Sequence, residues 1–580
     1  MDPIKVDFSK KDSAKKADIV IPPERAALKI ILSVICTLVF AAVAFYLMLP
    51  ALNFKAYELY IYLGAVAASY VVFNAVFANA LVKPEYMPYV KKRAIIPGII
   101  IGILVVAVVI GFIVSSEFFR AKSYSRIISV ETRSFTEEIE AEDISSFKEI
   151  PKLDNDSATQ LANKALGDLA EKGYVSQFTA SAESTQINYN GTPVRVAPLQ
   201  YASIIKWLYN TSEGLPGYVI INMADESTEF KEGTIKYSTA EYFNEKVSRH
   251  LRFEYPTYMF GEATFEINDE GTPYWICPIL DKTIGLFGGT DVIGAVLVDA
   301  ATGECVEYTI EALRTDKTLQ WIDRVYDSDL IVEQYNYYGK YRDGFWNSIL
   351  GQKNVITSTQ GYNYIAKDDD VWMYTGVTSV TSDSSITGFV LVNQRTKETQ
   401  YYPVTGGTEA SAQEAAEGRV LDLGYKATFP LIVNIDGNPT YFMSLKDEQT
   451  QIVQQYALIN VNQYNKIGAT STDLSACLDN YRKSLKANGA QINEENVPVT
   501  PENEAPKADV LTATGEVTEI RTAVKGGESY YYVKLALNES YFAVSASEAE
   551  EVVILNVGDS VTVTYTGEGS IIAAETFTIN

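Results

Sequence analysis

The sequence predicts a membrane-anchored α+β protein: three transmembrane helices, then units of a helix packed on an antiparallel sheet, then a small C-terminal β-barrel. Three observations carry this expectation. Three long apolar runs lie within the first 116 residues. Four strand–turn–strand signals, each hinged on an Asn or Asp, recur between residues 218 and 467. Five β-rich runs follow a polar, proline-containing linker near the C-terminus.

At 580 residues the chain is too long for one hydrophobic core, so several domains are expected. Charge divides it sharply. Residues 1–116 carry 12 Lys/Arg and 7 Asp/Glu, whereas residues 117–580 carry 36 basic and 66 acidic residues, a net of −30. Such a body repels phosphate backbones, which excludes nucleic acid as its partner.

The first apolar run, Ala26 to Leu49, is interrupted only by Cys36 and Thr37. The second, Ala56 to Val82, holds Glu58 near its start and Asn74 and Asn79 near its end. The third, Ala94 to Ser116, has no polar face, so it is not a buried core helix. About 20 residues span a bilayer, and all three suffice. Lys5, Lys10, Lys11, Lys15, Lys16, Arg25, Lys29, Lys83, Lys91, Lys92 and Arg93 fall on one side, against Lys55, Arg120, Lys122 and Arg126 on the other. The positive-inside rule then places the N-terminus in the cytoplasm and residues 117–580 outside. The first run is too long for a signal peptide and lacks a cleavage site, so it stays as an anchor. No Asp, Glu, Lys or Arg sits mid-span, which argues against an ion pathway.

A charged connector, Glu117 to Lys152, contains TEEIEAEDISSFKE. The recurring hairpins follow at Tyr218–Glu229, Ala295–Cys305, Phe389–Thr399 and Tyr456–Ile467, hinged on Asn222, Asp299, Asn393 and Asn460. Asn and Asp suit that hinge because they tolerate turn geometry and bond back to their own backbone. Upstream of each lies a partner hairpin, turning at Asn190–Gly191, Glu270–Gly271, Asp436–Gly437 and, in the third copy, an acidic run Asp368–Asp370. Helices are expected before three of them, at Ser157–Lys172, Ser238–Leu251 and Glu409–Leu423, with Ser157 and Thr408 as N-caps. The hinge spacings of 77, 94 and 67 residues vary, which favours separate or paired units over a regular solenoid.

The helix, the D-G turn and the final hairpin Val298-Asp299-Ala300-Ala301-Thr302-Gly303-Glu304 resemble the PepSY domain. The likeness is best at residues 238–309, fair in the first and fourth copies and poor in the third. It implies binding or inhibitory modules, often acting on cell-envelope proteases, with no catalytic residues to transfer.

The aromatic segment 326–346, with Tyr335, Tyr337, Tyr338, Tyr341 and Phe345, reads as a helix packing its rings on a sheet or as a stacking platform for sugars or a partner. The C-terminal runs suggest a five-stranded barrel of OB type. Its only basic residues, Arg521, Lys525 and Lys534, do not make a nucleic-acid groove. The expected divisions are a cytoplasmic tail (1–25), the anchor (26–116), the connector (117–152), PepSY-like units at 153–235 and 236–312, the aromatic segment with a divergent third unit (313–405), a fourth unit (406–486), a linker (487–509) and the barrel (510–580).

Little in the sequence points to chemistry. His250 is the only histidine, so multi-histidine metal centres are impossible and any Ser–His or Cys–His nucleophile must use it. It is expected at a helix C-terminus as a cap. Asp368, Asp369 and Asp370 lack calcium-loop spacing and read as a solvated turn. The run Ile284-GLFGGT-Asp291 lacks the P-loop lysine and reads as a connecting loop. Cys277 and Cys305 fall in one unit, as free thiols or as a bridge. No catalytic, metal or cofactor residue is assigned. The expected partners are the lipid bilayer and other envelope proteins. A carboxylate-dependent glycan hydrolase and an accessory subunit of a transport or secretion complex are the rival readings.

Overall fold

The computed structural model describes residues 20–139, 150–167, 173–367, 369–380, 382–490, 511–525, 528–546, 549–566 and 569–580. Lys5 to Lys16, most of the acidic connector stretch, Asp368 and the linker lie outside them.

Three helices near the N-terminus are long and apolar enough to cross a membrane: α1 (Ala26–Met48), α2 (Tyr57–Phe77) and α3 (Met87–Ser115). The middle one packs against both neighbours. It stops at Phe77, short of the expected Val82, because Asn79 turns the chain at φ 58°. The third begins earlier than its apolar run and carries Lys91, Lys92 and Arg93 in its first two turns. Its 29 residues extend about 43 Å, more than the hydrocarbon needs, which leaves room for that charged end. A short helix α4 (Glu117–Tyr124), a strand β1 (Glu131–Thr132) and a turn of helix α5 (Phe135–Glu138) follow.

Four helix–sheet units with one connectivity come next. The first is α6 (Asn155–Gly167), β2 (Phe178–Ala180), β3 (Thr185–Tyr189), β4 (Thr192–Tyr201), a small helix α7 (Ile204–Asn210), β5 (Leu215–Asn222) and β6 (Thr228–Ile235). The second is α8 (Val247–Glu254), β7 (Met259–Phe260), β8 (Thr264–Ile267), β9 (Pro273–Ile284), β10 (Gly288–Asp299) and β11 (Cys305–Thr309), closed by α9 (Ile310–Thr315). The third is α10 (Ser328–Tyr341), β12 (Ile356–Ser358), β13 (Asn363–Lys367), β14 (Asp370–Ser379), β15 (Ser382–Asn393) and β16 (Thr399–Tyr402), with β17 (Gly406–Gly407) added on β15. The fourth is α11 (Glu409–Arg419), β18 (Lys426–Ala427), β19 (Leu431–Ile435), β20 (Asn438–Lys446), β21 (Val453–Asn460) and β22 (Gly468–Ser471), followed by α12 (Leu474–Ala487). In each unit the third strand pairs with the first, second and fourth, and the fourth pairs with the fifth.

The hinge residues behave as their chemistry dictates. Asn222, Asp299 and Asn393 each accept the backbone N–H two residues on, at 2.8–2.9 Å. Four residues beyond the hinge the chain turns left-handed, at Glu226, Gly303 and Lys397. Gly303 is needed twice, since a Cβ there would also come within 2.4 Å of the Tyr237 ring.

Four expectations change. The third copy is complete, because the aromatic segment supplies its helix: Tyr335 of α10 is fully buried in a core with Met373, Val390 and Val392. The helix expected at Ser238–Leu251 is α8, which starts only at Val247, since Phe243 has φ 50° and breaks the run. Asp154, not Ser157, caps α6: its carboxylate accepts the Ser157 N–H at 2.9 Å, while Thr408 caps α11 as expected. Finally, the units are not isolated. The first two sheets share one core, the second and third share another through α10, and the third and fourth share a third through α11. The fourth sheet's other face is covered by Leu478, Tyr481 and Leu485 of α12.

The chain divides into two compact units after Asn496. The second holds β23 (Leu511–Lys525), β24 (Glu528–Leu535), β25 (Tyr541–Ser545), β26 (Ser560–Tyr565) and β27 (Ile571–Ile579), the five strands expected. They pair in a ring, β23–β24–β25–β27–β26 and back to β23, around Val517, Val533, Phe542, Val561 and Val563.

Candidate functional site

The search for chemistry ends at three places. The first is His250, which sits in the middle of α8, not at its end, and is half-buried under the hairpin of β10 and β11. Its Nε2 lies 2.8 Å from the Gly303 carbonyl oxygen and 3.5 Å from Cys305 Sγ, with the Tyr237 ring tilted against it, centroids 4.6 Å apart. A Cys–His contact therefore exists, yet it is wired for inertness. A carbonyl only accepts, so Nε2 carries the proton and has no lone pair to take one from the thiol. Burial, reinforced by Glu254, pushes the Cys305 thiol up to about 11, the opposite of what a nucleophile needs. Cys277 is a second free thiol, buried on β9. It cannot reach Cys305, because β10 lies between their strands and two strand spacings put the Cα atoms about 10 Å apart.

The second place is a buried polar centre where the first three units meet, which no motif announced. Glu266 on β8 is fully buried and accepts the backbone N–H groups of Asp323 (2.8 Å) and Arg324 (2.9 Å). Asp323, equally buried, accepts the Asn188 N–H at 2.6 Å, and its other oxygen has no hydrogen-bond partner among the described residues. Burial pushes Glu266 up to about 7, and burial plus the neighbouring Glu266 holds Asp323 well above the carboxylate range. Burial likewise lowers Arg195 to about 10. Arg324 is near, but its guanidinium stacks on Tyr364 at 4.3 Å and donates to that hydroxyl at 3.0 Å. Two neighbouring carboxyls raised by burial have the makings of an acid–base pair, but a substrate needs a path to them. Neither acid lines the two cavities beside the membrane helices, the small one at Pro151–Asp154 or the apolar groove among the helices. The centre is a joint.

The acidic run of the third copy resolves in the same way. Asp369 forms the turn at φ 63° and accepts the Asn188 amide at 3.0 Å. Asp370 is not solvated as expected: it is buried and ion-paired with Arg395 at 2.7 Å. Among the described residues no group of three or more His, Cys, Asp or Glu is arranged to hold a metal ion.

The third place is the end of the anchor. The glycine-rich run is the tight turn between β9 and β10, and it is more than a connecting loop. Its Leu286 and Phe287 N–H groups donate to Ser115 Oγ, the last residue of α3, at 2.8 and 2.9 Å. Phe287 packs on Phe112 and Tyr60, and Gly111 leaves room for it: a Cβ there would come within 2.4 Å of the ring. The loop joining α1 and α2 docks beside it, through Leu52 N–H to Pro256 O and through Lys55 to Asp281 at 2.8 Å. Arg252 closes the joint by donating to Leu49 O and Tyr258 O. Two cavities flank this region. One, of about 250 Å³, is lined by Lys55, Glu58, Arg252 and Lys282. The other, of about 390 Å³, is lined by Tyr46, Tyr201, Phe243 and Arg249 around a buried Glu241. Glu241 accepts from Tyr201 and from Trp207 Nε1, and burial raises it.

No protein-family profile and no curated protein matches this sequence. Function therefore rests on the residues themselves.

Proposed function

We propose that the chain is a membrane-tethered, extracytoplasmic binding and scaffolding protein of the bacterial cell envelope, whose PepSY-like units hold other envelope proteins and regulate a protease among them. The observation that carries this is a sheet edge which the chain fills from within. In the third unit, β1 adds to the outer strand β16 in parallel, Glu131 opposite Gln400 and Thr132 opposite Tyr401. The equivalent strand of the first unit, β6, is twice as long as β16, is largely exposed, and pairs only with β5 among the described strands. An open edge recruits an extended segment by backbone hydrogen bonding.

The experiment is photocrosslinking in intact cells from Glu229, Lys231 and Gly233 of the full-length chain. A discrete adduct from the edge, absent from a probe at Lys483 on α12, supports the reading. No adduct above background from any edge position sinks it. Sidedness rests on the 11 positive charges assigned to the side opposite the body against four on its own side. Protease added to sealed cells digests the body if this orientation is right, and spares it until lysis if it is reversed. The C-terminal ring is read as an OB-like barrel for protein contacts, since Arg521 is occupied by Glu519 and Lys534 lies over Tyr541.

One further observation favours the accessory-subunit alternative. An apolar groove of about 370 Å³ is lined by all three membrane helices, including Leu38, Leu63, Tyr70, Pro97 and Leu104. A partner transmembrane helix fits that chemistry, and co-purification of a polytopic protein in mild detergent distinguishes this role.

A further inference from the structure

Among the exposed apolar patches of the described residues, two lie beside the ends of the membrane helices. The first is on α7, a seven-residue helix in which Ile204, Ile205, Leu208 and Tyr209 are exposed, Tyr209 at 83%. An ordinary surface helix turns polar residues outward. Here Trp207 faces inward instead and fixes the helix against Tyr242 and Phe243, with ring centroids 4.9 and 5.6 Å away. Those residues are tied to the last turn of α1. The Tyr46 hydroxyl donates to Asn244 at 3.2 Å, and Arg249 stacks on the Tyr46 ring at 4.3 Å while donating to Tyr46 O and Phe243 O.

The second patch follows α10. Trp346, Ile349 and Leu350 are exposed on the wide helical turn that ends the segment, Leu350 at 76%. Rings at positions 337, 341 and 345 stack in a ladder along α10, and the ladder leads to α4: Tyr337 meets Tyr124 at 4.6 Å and Phe345 meets Phe118 at 5.1 Å. Phe118 lies three residues beyond Ser115 and also touches Trp346 at 5.8 Å. Exposed apolar patches of this kind mark an interaction surface. Their fixed closeness to the points where α1 and α3 end says which surface.

We infer that α7 and the 346–350 turn are interfacial feet, inserted into the headgroup region of the leaflet on the body's side of the membrane. Tryptophan, tyrosine and short amphipathic helices with a flanking lysine, here Lys206, are the residues that favour that zone. The inference rests on reading α1 to α3 as membrane-spanning. It goes beyond the scaffold role, because it fixes the tilt and height of the whole stack over the lipid.

The test uses full-length protein in phospholipid vesicles, with Cys36, Cys277, Cys305 and Cys477 replaced by Ala and single environment-sensitive dyes at Leu208→Cys, Leu350→Cys, Ile103→Cys in the middle of α3, and Lys483→Cys on α12. Quenching by nitroxide lipids labelled near the headgroup, and for position 103 by lipids labelled deep in the acyl chain, is compared with quenching by aqueous iodide. Dyes at 208 and 350 should be quenched by the lipid at least twofold more than the dye at 483, and should be shielded from iodide. If the dye at 103 is reached by lipid and those at 208 and 350 behave like 483, the feet do not exist although the anchor does. If the dye at 103 also resists lipid, the membrane-spanning reading itself fails. Shielding from both quenchers that grows with protein density would assign the patches to contact between copies, and would overturn the inference.

Discussion

Two buried acidic centres in this stack are handled in opposite ways. In the third unit Asp370 meets Arg395 through two bonds of 2.7 and 2.8 Å, and Asn393 supplies another at 2.8 Å. Where the first three units meet, Glu266 and Asp323 lie together with backbone N–H groups as their main partners. In the first centre an opposite charge compensates the buried carboxylate, whereas in the second burial and the neighbouring acid push the carboxyls up. The first centre locks a hairpin. The second makes a joint that responds to pH.

Breaking the locked pair should have the largest effect. Asp370→Ala leaves Arg395 buried without its partner and should cost about 3–5 kcal/mol, read by urea denaturation. The proton-holding joint comes next. Its pKa is raised by folding, so its contribution is complete below the unfolded value of 4.5 and is lost as pH rises through about 7. The loss should be on the order of 3 kcal/mol, seen as a falling melting temperature between those limits. Glu266→Gln should flatten that slope, and an unchanged slope would remove the distinction between the two centres. A double variant, Asp370→Ala with Arg395→Ala, should be less destabilised than the sum of its singles, with a coupling of about 1–3 kcal/mol. The smallest effect is at Tyr335, whose buried hydroxyl has no hydrogen-bond partner among the described residues. Tyr335→Phe should be neutral or stabilising by up to about 1 kcal/mol in the same denaturation assay.

Asp370 stands out in the sequence as part of an acidic run, though it reads there as a solvated turn, whereas the second centre is hidden from it. Glu266 and Asp323 are 57 residues apart, and neither sits in a spaced motif. Their meeting is decided by how β3 and β8 pack, which no local pattern encodes. What could be read locally was read: the apolar runs, the Asn–Gly and Asp–Gly turns, the hinge residues and the five C-terminal strands all rest on period and turn chemistry. The aromatic segment does form the expected helix with its rings on a sheet, but its place as the helix of the third copy was missed, because its tyrosines read equally as a stacking platform. The helix before the second unit starts later than the expected Ser238 because Ser238 bridges to Lys246 and Phe243 breaks the run. It runs on to Glu254, three residues past the expected end, which puts His250 mid-helix.

The hydroxyl of Ser115 holds two amide groups of the body from the final turn of α3, and this makes the length of that helix a matter of phase. One inserted residue between Gly98 and Gly111 would swing the serine by about 100° and lose both amides. Seven inserted residues would bring it back within about 20° of its bearing, yet would raise it by roughly 10 Å. Azimuth can be repaired by counting, but altitude cannot, so this stretch of helix should tolerate substitution far better than any change in its number of residues.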